Sequence, residues 1–145
     1  MQYVCDAPKG RTWFRIETEA EATAESRLMR HAVEKHFLTA QQRARRTYVP
    51  GQGLERDIGL KGHIARVMPV FLTLRASDGS GLATAMLPPG PKSSSEFTII
   101  IVGAENADPY ADHGDAIDAL ARHFRIPQPC AVAPGVRNST AHFCA

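Results

Sequence analysis

The chain has 145 residues, of which 43% are apolar and 22% charged, and its net charge is +2. That is one domain's length, enough to bury a core without disulfides or a structural metal, and the charge is too slight by itself to indicate nucleic acid or an anionic membrane. The three cysteines, Cys5, Cys130 and Cys144, have no framework spacing, no run approaches the ~20 apolar residues of a membrane span, and no secretory leader is visible, so a cytoplasmic protein is expected.

Gln2 to Asp6 leans towards strand, Ala7-Pro8-Lys9-Gly10 is a turn, and Arg11 to Glu17 alternates, with Thr12, Phe14 and Ile16 on one face. The spacing predicts a β-hairpin. Thr18 then offers an N-cap and Glu21, three residues on, completes a capping box. From there to Arg46 the pattern predicts one long amphipathic helix. Ala22, Met29, Val33, Phe37, Ala40 and Ala44 fall in one sector at about 100° per residue. Arg43, Arg45 and Arg46 complement the negative end of the helix dipole, and Pro50-Gly51 stops the helix.

Residues 54–66 read as strand, because Ile58, Leu60, Gly62 and Ile64 alternate and two glycines weaken a helix. Val70 to Ala76 and Leu82 to Leu87, joined through Ser77-Asp78-Gly79-Ser80-Gly81, predict a second hairpin. Pro88 to Ser95 is a connector rich in Pro and Ser. Ile99-Ile100-Ile101-Val102 is apolar without alternation, as expected of a central strand buried on both faces. A second helix starts near Asp108-Pro109 or Asp112, with the stripe Ile117, Leu120, Ala121 and Phe124.

The expected architecture is α+β: a mostly antiparallel sheet of about five strands with two helices, in ββα-βββα order, the long N-terminal helix lying on the sheet. Residues 1–126 form the single domain and 127–145, which show no period, an irregular or flexible tail.

Candidate chemistry is concentrated in the loop Gly103 to Gly114, read as leaving the central strand and entering a helix, where ligand sites often lie. Glu105, Asp108, Asp112 and His113 are its candidate metal ligands, and His113 and Asp112 its candidate acid–base pair. Helix capping by Asp108 and Asp112 accounts for much of the same acidity. Lys61 and His63 form a second candidate pair, sharing a face if their segment is a strand. His31 and His36 do not form a zinc site on one helix, since five residues separate them by ~140° around the axis, and His31 is read as solvated. Arg43, Arg45 and Arg46 lack the interleaved aromatics of an RNA-binding surface, so there is no strong case for nucleic acid. No cofactor is implied.

With no nucleophilic or metal-binding motif in the sequence, the expected function is a non-enzymatic protein-interaction or self-associating module, binding a protein partner or forming a homodimer. The alternative is a metal-assisted or acid–base enzyme using the Gly103–Gly114 loop.

Overall fold

The structure, a computed structural model, describes residues 1–50, 59–89 and 99–126. The start of the expected strand at 54–66, most of the Pro- and Ser-rich connector and the expected tail lie outside the described residues.

Strands β1 (Gln2–Ala7) and β2 (Arg11–Ile16) form the first hairpin. Helices α1 (Glu19–Met29), α2 (Val33–Thr47) and α3 (Gly59–Val67) follow. Then come β3 (Val70–Arg75), β4 (Gly81–Leu87) and β5 (Ile100–Val102). A 3-10 turn at Ala104–Asn106 leads to α4 (Tyr110–Phe124). The five strands lie in the order β1-β2-β3-β4-β5, every neighbouring pair antiparallel. The α+β class and the antiparallel five-stranded sheet are as the pattern predicts.

Helices cover both faces of this sheet. On one side Trp13, Leu72, Leu74, Ala83, Ala85 and Ile101 meet Ala116, Ile117 and Leu120 of α4. On the other, Ile16, Phe71, Ile100 and Val102 meet Ala22, Val33, Phe37 and Ala44 of α1 and α2. The alternation in β2 therefore separates two cores, and Trp13, on the face opposite Ile16, is fully buried, its Nε1 donating to Ala116 O at 2.8 Å.

Three expectations are corrected. The predicted long helix is two helices. Its capping box is present, with Thr18 and Glu21 closing it reciprocally, but Arg30 adopts the left-handed conformation (φ 54°, ψ 49°) and ends α1. Ala32, at the N-cap position of α2, supplies no side-chain cap. The N–H groups left open there are met from elsewhere: Val33 N–H donates to His31 Nδ1 at 3.4 Å and Glu34 N–H to Ser26 Oγ of α1 at 2.9 Å. The apolar stripe survives the break, with Met29, Val33 and Phe37 each 2% exposed or less.

Residues 59–67 are helix rather than strand. Leu60, Ile64 and Val67 repeat at i, i+4 and i+7, and the apparent alternation depended on counting Gly62 as apolar. Finally, Ile100–Val102 is not central: β5 pairs only with β4 and lies at the end of the order, while β3 is in the middle. Its apolarity on both faces is real, because an end strand between two helical layers is covered on both sides just as an inner one is.

Candidate functional site

The Gly103–Gly114 loop leaves an edge strand, and its polar groups are divided among separate partners. Glu105 Oε1 meets Arg30 Nη1 at 3.1 Å on an exposed surface. Asp108 is not the N-cap of α4, a position held by Pro109 without a side-chain cap; its Oδ1 accepts from Tyr110 N–H at 2.9 Å in the turn just before the helix. Asp112 is exposed, and its carbonyl oxygen lies 3.4 Å from Arg11 Nη1. Among the described residues no three His, Cys, Asp or Glu side chains gather where they would hold a metal ion.

His113 belongs to a cluster organised by Arg11. This arginine, 5% exposed, crosses from β2 to the first turns of α4, where His113 departs from helical geometry (φ −128°). Its Nη2 bonds Asp115 Oδ1 at 2.6 Å, its Nη1 reaches His113 Nδ1 at 3.0 Å and its Nε donates to Pro8 O at 2.7 Å. A guanidinium only donates, so Nδ1 accepts and the proton of the neutral imidazole sits on Nε2. Burial and then the charge of Arg11 hold the His113 pKa below its ordinary value. The hydrogen bond from Arg11 is the main reason that Asp115 titrates below the usual carboxylate range. The cluster fixes a neutral histidine and joins the first hairpin to α4.

Lys61 and His63, two positions apart on a helix, point in widely different directions. Lys61 is exposed, whereas His63 turns to α2, with Nε2 2.8 Å from Thr47 Oγ1 and its ring 5.6 Å from that of Tyr48. Thr47 gives its own proton to Ala44 O, so His63 donates. Cys5 is half-buried on β1, and burial followed by the charge of Asp6 raises its thiol pKa, the reverse of an activated nucleophile.

A polar chain beneath the α1–α2 break was not anticipated. Glu25, with no exposed surface, points from α1 onto the sheet, where Thr73 of β3 and Thr84 of β4 are directly paired. Its Oε1 bonds Arg75 Nη2 at 2.7 Å, and its Oε2 accepts from Thr84 Oγ1 at 2.9 Å. Thr84 Oγ1 also lies 2.9 Å from His31 Nε2. The threonine proton is committed to Glu25, so His31 donates through Nε2 and accepts through Nδ1, the tautomer that the Val33 N–H also requires. Burial drives the Glu25 pKa up against the pull of Thr73, Arg75 and Thr84. Burial also drives His31 down to about 4. His31 is thus half-buried and built into the fold, not solvated. With Glu25, Thr73 and Thr84 closed to solvent, the chain's work is to hold the helix break on the sheet.

The third arrangement is a surface. The last turns of α2 and the whole of α3 expose Arg43, Arg45, Arg46, Lys61 and Arg66, none of which enters the ion pairs among the described residues. No Asp or Glu occurs from Lys35 to Pro50 or from Gly59 to Arg75. Helix α3 and the residues after α2 also expose apolar groups: Val49 is 50%, Leu60 40% and Val67 36% exposed. On the helix at 59–67 Lys61 and Arg66, five positions apart, point about 140° away from each other.

Compared with known protein families, with curated proteins and with solved structures, the chain has no match. Among the described residues no helix is long and apolar enough to cross a membrane.

Proposed function

We propose that this protein is a non-enzymatic module that binds another protein. The observation carrying this reading is α3: its side chains Leu60, Ile64 and Val67 repeat as an apolar stripe, yet no residue of the helix is buried. An amphipathic helix gains most of its stability by covering its apolar side, and this one leaves a substantial part of it in water. The competing reading, acid–base or metal-assisted catalysis at Gly103–Gly114, has less behind it. Glu105, Asp108 and His113 each serve a different structural contact there.

The test is site-specific photo-cross-linking in cells that naturally express the chain. A photoactivatable residue at position 60 is expected to give a discrete protein adduct that Val67→Asp suppresses. Equal adduct patterns from position 60 and from exposed position 122 on α4 would overturn the reading.

A further inference from the structure

We infer that His31, Thr84 and Glu25 form a proton relay: a proton from solvent enters at His31, comes to rest on Glu25 and reverses the histidine tautomer, which takes the acceptor away from the Val33 N–H at the start of α2. This device is independent of what the protein binds. Glu25 and Thr84 have no exposed surface. His31, half-buried, is the member that solvent reaches. Arg75, the partly exposed neighbour of Glu25, does not give up its protons. The contacts are already in line, with His31 Nε2 2.9 Å from Thr84 Oγ1 and Thr84 Oγ1 2.9 Å from Glu25 Oε2. A hydroxyl both donates and accepts, so Thr84 can pass a proton on without moving.

The step balances. A proton from solvent bonds to His31 Nδ1 while Nε2 gives its own to Thr84 Oγ1, and the threonine's original proton passes to Glu25 Oε2. The chain has gained one proton, His31 and Glu25 are both neutral, and Thr84 still carries one. Each hydrogen bond of the relay is remade in the reverse direction, at the expense of one other. Nδ1 now carries a hydrogen and meets the Val33 N–H, 3.4 Å away, donor against donor. Ala32 offers no side-chain cap in its place. The proton settles on Glu25 rather than on the ring for two reasons. An imidazolium at the start of α2 is opposed by the helix dipole and by His36. The carboxyl is neutralised more readily than usual, since burial outweighs the pull of Thr73, Arg75 and Thr84. Of the other charged groups nearby, Arg30 is paired with Glu105 at 3.1 Å, Glu34 and Lys35 lie in the first turn of α2, and β4 and β5 bring none.

The test is Glu25→Gln in the full chain at neutral pH, with the ring nitrogens of His31 read by NMR. The new amide keeps its oxygen toward Arg75 Nη2, which only donates, so its NH2 faces Thr84 and turns the hydroxyl toward His31. His31 is expected to change from the Nε2–H to the Nδ1–H tautomer without added acid. Hydrogen exchange at the Val33 amide is expected to rise about tenfold. Exchange at Glu34, whose N–H is bonded to Ser26 Oγ at 2.9 Å outside the relay, should not change. Adding Thr84→Val is expected to restore the Nε2–H tautomer. An unchanged tautomer in Glu25→Gln, or a change that persists with Thr84→Val, would overturn the relay. Trp13 emission reports whether each variant is folded. If either fails to fold, an acid titration of the wild type decides. A neutral Nδ1–H ring appearing as pH falls supports the relay, and direct passage to the imidazolium overturns it.

Discussion

Glu25 and Arg75 form an ion pair of 2.7 Å in which the carboxylate has no exposed surface and the guanidinium retains 15%. The asymmetry sets what each deletion does. Removing the arginine strands an acid that water cannot reach, while removing the acid leaves a cation that can still be partly hydrated. Arg75→Met is therefore expected to cost about 3–5 kcal/mol in urea unfolding, and Glu25→Met less. The double replacement should recover much of the loss, because the charge to be stranded is gone. Strictly additive losses would show that the two side chains do not act as a pair.

His31 gives the protein a pH dependence of known sign. Its folded pKa, about 4, lies below the ordinary 6.5, chiefly through burial, with His36 adding to the effect. Between those values the unfolded chain binds a proton that the folded chain excludes, so stability falls as pH drops from about 6.5 towards 4. Glu25, whose pKa is raised, works in the opposite direction at the lower end of this range. It is common to both proteins in a comparison of wild type with His31→Gln, which retains an N–H donor for Thr84 but cannot titrate. The wild type is expected to lose thermal stability relative to the variant between pH 7 and pH 5. A constant difference in melting temperature across that range would refute the assignment.

Trp13 is the chain's single tryptophan and is fully buried between the sheet and α4. Its emission is expected to be blue-shifted in the folded state and to move red in one step on unfolding. Trp13→Phe removes the 2.8 Å bond to Ala116 O and part of the buried ring. A loss of about 2 kcal/mol is expected, and Trp13→Ala should cost about 3–5 kcal/mol. Urea titration followed by circular dichroism measures both.

What the sequence disclosed follows from the range of the forces involved. The capping box at Thr18 and Glu21, the two hairpins and the stripe Met29–Val33–Phe37 are local patterns, and each is present in the fold. The break at Arg30 had no local mark, since no Gly or Pro stands there. It is held by Ser26 and by His31 reaching Thr84, 53 positions away. Nothing in the sequence assigned Arg11 a role, because its partners His113 and Asp115 are more than 100 positions away. Asp108 read as the N-cap of the last helix, but Pro109 takes that position and Asp108 only bonds the Tyr110 N–H in the turn before it. Sequence alternation showed that β2 has two different faces. It did not show that both are covered, because that depends on where α4 packs.

The break between α1 and α2 also yields a test of which side of the helical pair faces the sheet. Val33 opens α2 with no exposed surface, packed in the core with Ile16, Phe37 and Phe71, whereas Glu34 is only half-buried and contributes its backbone N–H, not its side chain, to the bond with Ser26 Oγ. Val33→Asp is thus expected to cost about 3 kcal/mol or more, since a carboxylate there has no partner. Glu34→Ala should stay within about 0.5 kcal/mol, as it preserves the backbone donor. Ser26→Ala, which deletes the acceptor supplied from the other helix, belongs between them at about 1 kcal/mol. The order Val33→Asp, Ser26→Ala, Glu34→Ala in thermal melts follows from α2 being capped across the break. Were the two helices one continuous rod, Ser26 would have no orphan N–H to satisfy, and its replacement would cost no more than that of Glu34.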